Sequence, residues 1–344
     1  MKAVVITAPQ QASITERPIP SLRDDYILVK TVSVALNPTD WKHIEFLASP
    51  GVLVGCDYAG IVEEVGKNVT KPFRKGDRVC GFAHGSNGVQ PEDGTFAEYI
   101  VVKGDLQMHI PDSMSFQEAA TLGVGIVTVG QALYQSLKLA PPTGPLSQPE
   151  PILIYGGSTA TGALAIQYAK LSGYQVLATC SPHNFDMVKQ LGADAVFDYR
   201  DPDSASAIRE YTKDHLRLVL DTISLEPTAK YCDNAISTQG GHYTALLNIG
   251  IERENVNSRW TLGYTAVGEE FKIHDTVFPA KPEDREFAEK FSALSEQLLA
   301  EGNIKPHKPN VGSQGLQGVL EGLQLMKDGK VSGEKLVYNV SETP

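Results

Sequence analysis

Along residues 1–125 the apolar positions come in short runs, AVVIT, YILVKTVSVAL, YAGIVEEVG, DRVCGF and FAEYIVV, separated by glycine, proline and aspartate. This spacing predicts a compact, β-rich domain, mostly antiparallel or barrel-like. The polar, glycine-rich stretch HGSNGVQPEDGT (84–95) reads as an exposed loop. At Ser115 the pattern changes. Ser115 and Glu118 form an S-x-x-E capping box that opens a helix, and Gly123 and Gly125 are expected to interrupt it before a second helical run. Residues 140–151, APPTGPLSQPEP, hold five prolines and no aromatic residue, the composition of a surface connection.

Beyond that connection short apolar runs alternate with helical segments. PILIY, YQVLATC, AVFDY, RLVLDTI and HYTALL read as strands. TGALAIQYAKLSG, SPHNFDMVKQLGA, SASAIREYTKD and PTAKYCDNAISTQGG read as helices. Such alternation means βαβ units and a parallel sheet. The C-terminal part carries two further helices, EDREFAEKFSALSEQLLAEG and GLQGVLEGLQLMKDG, and a strand, KLVYNV, that can return to the first domain. The expectation is an α/β protein of two domains, with 128–269 inserted into a domain made of 1–127 and 270–344.

Composition narrows the function. Thirty basic against forty-one acidic side chains leave a net charge of −11, which offers no general footing for a phosphate backbone and argues against nucleic acid as a partner. No run approaches the ~20 apolar residues that span a bilayer, and MKAVVITAPQQ has no signal-peptide core; a cytoplasmic protein is expected. The four cysteines, Cys56, Cys80, Cys180 and Cys232, are widely scattered. They form neither a zinc knuckle nor a disulfide framework, and read as reduced, buried side chains.

The turn YGGSTATG (155–162) stands after an apolar strand and opens the first helix of the βα series. Glycines let backbone approach a pyrophosphate, and the helix N-terminus offers N–H groups and a favourable dipole. Ser158, Thr159 and Thr161 add hydroxyls; Ala160 replaces the usual middle glycine, and Gly162 closes the motif. An ordinary tight turn is the alternative. The second strand ends in TCSPHN, with no acid for a ribose 2′-hydroxyl. Ser181 as N-cap and Pro182 as first helical residue leave N–H groups for a 2′-phosphate, with His183 and Asn184 as further donors and Tyr199-Arg200 near the same edge. NADPH is therefore expected over NADH; a plain helix cap is the alternative.

Several stretches together resemble the medium-chain dehydrogenase/reductase superfamily: ALNPTDWK (35–42), GCDYAGIVEEVGKNV (55–69), KGDRVCGF (75–82), AIQYAKLSGYQVLAT (165–179) and LGADAVFDY (191–199). The resemblance implies a GroES-like β-rich catalytic domain and an inserted Rossmann cofactor domain with a doubly wound parallel sheet. YGGSTAT, ATCSPHNFD, VFDYR, QGGHY, WTLG and VSGEKLV look like the trans-acting enoyl reductases that serve fungal polyketide synthases (the lovastatin type). Those enzymes use NADPH without metal on an enoyl thioester tethered to an acyl carrier domain, which makes that domain the expected partner and a monomer the expected state.

Zinc-dependent relatives carry histidine where Cys56 stands here, and a first ligand in the Asn37-Pro38-Thr39-Asp40 stretch, which has no cysteine. No metal is expected. The resemblance places the turn Thr39, Asp40, Trp41 and Lys42 beside the cofactor, with Lys42 nearest the chemistry and Asp40 able to orient it. Thr128, the Leu246-Leu247 loop with His242, and the turn Ser332-Gly333 with Lys335 are implied as further cofactor neighbours. The basic stretch KNVTKPFRKGDR (67–78) can dock an acidic carrier domain. Two other functions remain open: a stand-alone quinone or 2-alkenal reductase, and a non-catalytic NADPH-binding partner protein.

Overall fold

The structure is a computed structural model that describes residues 1–47 and 50–344. It divides into two compact units, Met1–Val127 with Tyr264–Pro344, and Thr128–Gly263. Residues 264–269, expected in the inserted domain, pack with the first unit.

The first unit is built on a seven-stranded sheet in the order Pro309–Gly312, Lys335–Asn339, Tyr26–Ala35, Asp57–Val65, Arg78–Phe82 and Met108–His109, with Tyr99–Lys103 also pairing Tyr26–Ala35. All of its pairs are antiparallel except Pro309–Gly312 with Lys335–Asn339. The closing strand KLVYN thus returns to the first domain. Ile27, Val29, Phe96 and Ile100 share one core with Leu316, Val319 and Tyr338, so apolar residues from both ends of the chain exclude water together.

Two local expectations change here. Residues 84–95 are not an exposed loop: His84, Asn87 and Asp93 are buried. Their polarity is used internally. Asn87 Oδ1 accepts from Val89 N at 2.9 Å, and Asp93 takes the Arg23 guanidinium and the Tyr26 hydroxyl. Nor do Gly123 and Gly125 interrupt a helix. The Ser115 box forms as expected, Oγ accepting from Glu118 N at 3.2 Å, but its helix is only Phe116–Ala119. Gly123 and Gly125 lie inside the next helix, Gly123–Val129, which runs on as wider π-type turns through Ser136. A Cβ on Gly123 would stand 2.2 Å from Gly81 O, so glycine here admits a neighbouring strand.

The second unit holds a six-stranded, wholly parallel sheet in the order Ala195–Asp198, Gln175–Cys180, Pro151–Tyr155, Leu218–Asp221, Gly241–Ala245 and Val256–Trp260. In chain order that is 3-2-1-4-5-6, the Rossmann arrangement. The sixth strand was not anticipated, because VNSRW lies at the sheet edge with only Val256 buried. The proline-rich segment 140–151 is largely exposed, as its composition predicts. All four cysteines are free and buried. No helix among the described residues is long and apolar enough to cross a membrane.

Candidate cofactor and catalytic sites

In the parallel unit, ligands are expected at the C-terminal ends of the strands. The turn after Pro151–Tyr155 is made by glycines with distinct duties. Gly156 has φ +81° and faces Thr222, whose hydroxyl would lie 2.4 Å from a Cβ there. A Cβ on Gly162 would stand 2.2 Å from Gly156 O, which locks the helix Ala160–Leu171 against the turn. Gly162 is therefore a packing residue. Thr159 caps that helix, its Oγ1 accepting from Gly162 N at 2.9 Å. Ser158, Ala160 and Thr161 are partly exposed around the helix start, where N–H groups have no intrahelical acceptor and the dipole favours an anion.

At the end of Gln175–Cys180 the expected acid is indeed missing. Ser181 stands at the N-cap position of the turn Pro182–Asn184 but makes no side-chain cap bond; its Oγ lies 3.5 Å from the Tyr199 hydroxyl. Pro182 and His183 are exposed while Asn184 is buried. Arg200 is not a loose cation: its guanidinium bonds both oxygens of Asp198, at 3.0 and 3.1 Å. Leu246 N donates to Ser224 Oγ at 2.7 Å and Leu247 is exposed, both just beyond the strand Gly241–Ala245. His242 lies near the start of that strand, away from its C-terminal end. Thr128 is a partly exposed position on the helix Gly123–Val129.

In the antiparallel unit the helix Pro38–Lys42 begins with a proline at its first position, preorganised for the fold. Asp40 does not reach outward to a cofactor. It is 1% exposed, and its Oδ2 accepts from Asn37 N at 2.7 Å. Burial pushes its pKa up to about 7. Trp41 packs against the core beside Ile44 and Leu320. Lys42 is half-exposed, its Nζ 5.7 Å from the Trp41 ring, and partial burial lowers its pKa. Of the predicted turn, Thr39 and Lys42 are thus the side chains left to meet a ligand.

Cys56 and Asp57 are both buried. Asp57 accepts from Val124 N at 2.6 Å and Asn37 Nδ2 at 2.9 Å, and pairs with Lys335 Nζ. Lys335 also donates to Asn37 Oδ1 at 3.0 Å. It is an internal strut, not a residue that closes over cofactor; Ser332 and Gly333 precede it in an open turn. Burial raises the Cys56 thiol pKa well above its usual range. Among the described residues no group of three or more His, Cys, Asp or Glu side chains is placed to hold a metal ion.

Sequence reasoning missed a second cluster. Tyr264 Oη lies 2.6 Å from Thr39 Oγ1. Its ring stacks on His84 at 4.0 Å and 15° and meets His43 edge-on at 5.4 Å. Burial lowers the pKa of His43, and that of His84 to about 3, so both are neutral imidazoles. The basic stretch 67–78 is partly engaged within the fold. Lys71 donates to Gln107 O and to Ser292 Oγ at 2.8 Å, Arg78 bonds Met114 O at 2.6 Å, and Lys67 and Lys75 pair with Asp24 and Glu63. Most of its charge is answered within the fold.

Comparison with known proteins agrees with this layout. The alcohol dehydrogenase GroES-like domain family matches residues 23–112, and the zinc-binding dehydrogenase family matches residues 160–248. A trans-enoyl reductase of Cochliobolus carbonum is 65% identical over 282 residues, covering 82% of this chain and 95% of its own. Another, from Aspergillus sclerotiorum, is 50% identical across 99% of this chain and 100% of its own. Among solved structures, the quinone oxidoreductase from Coxiella burnetii superposes with a TM-score of 0.74 at 24% identity, covering 99% of each chain. The CurK enoyl reductase gives 0.74 at 20% over 98% of each. At those identities the structures speak to fold alone.

Proposed function

Because the chain belongs to the trans-enoyl reductases of the medium-chain dehydrogenase/reductase superfamily, oxidoreductases acting on carbon–carbon double bonds, we propose that it reduces an enoyl thioester. In this reading the substrate is a growing polyketide held on a synthase's acyl carrier domain, the reductant is NADPH, and no zinc takes part. The observation that carries the metal-free reading is the occupation of Asp57 by Lys335, Asn37 and Val124.

When bound, the cofactor supplies hydride to the β-carbon, and a proton then completes the α-carbon. The protein has to orient the reactants and answer negative charge on the thioester oxygen. Lys42 is the cation for that task, half-buried and unencumbered by the buried carboxylate two residues before it. The first turn of Ala160–Leu171 supports pyrophosphate binding. Two features support NADPH over NADH: no acid ends the strand Gln175–Cys180, and Ser181 and Tyr199 stand together there.

The test is NADPH oxidation with an α,β-unsaturated pantetheine thioester, run beside a simple quinone and with zinc measured by ICP-MS. Thioester turnover by zinc-free protein, lost at least about tenfold in Lys42→Ala, is the expected result. Turnover of the quinone alone makes the protein a detoxifying reductase, and stoichiometric zinc overturns the metal-free mechanism.

A further inference from the structure

We infer that Ser224 is a positioning residue of this reductase, whose hydroxyl joins the loops after the fourth and fifth parallel strands into one preformed rim for the nicotinamide half of the dinucleotide. The inference rests on the NADPH reading above and adds to it a residue and the bond through which that residue acts.

Topology places the rim, and every residue concerned lies within Thr128–Gly263. The strand order 3-2-1-4-5-6 reverses between Pro151–Tyr155 and Leu218–Asp221, which are neighbours in the sheet. In a sheet of this kind a dinucleotide lies across the strand ends at the reversal, one mononucleotide to each half. Ser181 and Tyr199, proposed above for the 2′-phosphate, belong to the half made by strands one to three. Strands four to six are then left for the nicotinamide side.

Ser224 has φ +62°, a left-handed backbone that disfavours any residue with a side chain. Lys138, Lys213 and Asp214 in the same unit also have positive φ, but none of them is buried, whereas Ser224 is 2% exposed. Asp221, the last residue of the fourth strand and 0% exposed, holds it there. Its Oδ1 accepts from Ile223 N and Ser224 N, both at 2.9 Å. Its Oδ2 accepts from Thr228 Oγ1 at 2.6 Å and from Tyr243 Oη, on the fifth strand, at 2.9 Å. Ser224 has one hydroxyl proton, and it goes to Asp221 O at 2.8 Å, since a carbonyl only accepts. Oγ is therefore left as an acceptor, and it receives the N–H of Leu246, the first residue past the fifth strand, at 2.7 Å. Across the reversal, Thr222 Oγ1 donates to Tyr155 O at 2.8 Å and lies 3.2 Å from Thr159 Oγ1, which caps the first helix. Three loops are thus tied through residues 221–224 before any ligand arrives, so that binding forfeits little backbone freedom. A disfavoured backbone held this firmly at a ligand edge is strain used for preorganisation.

The experiment compares Ser224→Ala and Ser224→Gly with wild type. Dissociation constants are read for NADPH and for 2′,5′-ADP, which lacks the nicotinamide half, well below each protein's melting temperature. Ser224→Ala keeps the Cβ and the strain but removes the hydroxyl. Ser224→Gly removes the hydroxyl and relieves the strain, so its fold is not at risk. Both are expected to weaken NADPH by roughly fivefold, the size of one hydrogen bond, with 2′,5′-ADP unchanged. A lowered melting temperature with NADPH affinity intact overturns the inference, because Ser224 would then serve the fold alone. So does an equal loss for 2′,5′-ADP, or wild-type NADPH affinity in Ser224→Gly. Wild-type protein that binds no NADPH fails the cofactor reading itself and this inference with it, and is seen before any variant is made.

Discussion

Replacing Lys335 by methionine isolates the internal strut. Lys335 is 4% exposed and Asp57 0%, so the substitution leaves a carboxylate in the core with only Val124 N and Asn37 Nδ2 to answer it. Breaking a buried pair from one side destabilises by roughly 3–5 kcal/mol. The two retained donors favour the lower figure. For a unit of this size each kcal/mol lowers the melting temperature by roughly 2–4 °C, so K335M should melt about 6–12 °C below wild type in differential scanning calorimetry. The companion variant D57N/K335M removes both charges. Asn37 can then reverse its amide, turning toward the new amide the oxygen that Lys335 had engaged, and much of the loss should return. A K335M protein melting within about 2 °C of wild type would refute the reasoning, as would a double variant less stable than the single one.

Three further outcomes are expected. Ser181→Asp places a carboxylate where the 2′-phosphate is proposed to bind, and should reverse the NADPH/NADH preference in steady-state kinetics; an unchanged ratio removes that assignment. Gly162→Ala drives a Cβ against Gly156 O, and should weaken NADPH at least about tenfold by fluorescence titration as the turn opens. His109 donates to Glu296 at 2.9 Å, with Asp77 at 3.4 Å, and the Glu296 bond raises its pKa. A raised histidine stabilises fully below its unfolded pKa of about 6.5 and loses that contribution as pH climbs through the folded value. His109→Gln should therefore lower the melting temperature most in mild acid, with the difference closing in mild alkali.

Regular elements were legible in the sequence where a periodic apolar pattern or a local cap specifies them. The alternation from Pro151 to Ala245 gave five of the six parallel strands, and Ser115 with Glu118 gave the helix start to the residue. Long-range pairing was not legible. The polar letters of 84–95 look solvated, yet they close bonds to Arg23, Tyr26 and their own backbone. Lys335 belongs to a turn that by resemblance faces cofactor, while its ammonium reaches inward to Asp57, 278 residues away. Tyr264 directly follows the WTLG stretch, but nothing local ties it to Thr39; only folding brings the two together, 225 residues apart. The turn at 155–162, proposed to bind the cofactor, is by contrast local, and its glycines mark it in the sequence.

The shared core of the first unit has a consequence for biosynthesis. Its apolar cluster joins residues up to Val102 with others from Leu316 onward, whereas Thr128–Gly263 is one contiguous segment. Ribosomes add roughly 5–20 residues per second, so the early strands wait about 10–40 s for the partners that complete their core. During that interval the inserted unit can already fold. The half-made β-domain meanwhile exposes Val4, Ile27 and Phe96, and it is this nascent state that holdase chaperones should recognise. A circular permutant that begins at Tyr264 and joins Pro344 to Met1 would deliver all of the first unit's strands before the inserted segment is made, and should shorten that dependence.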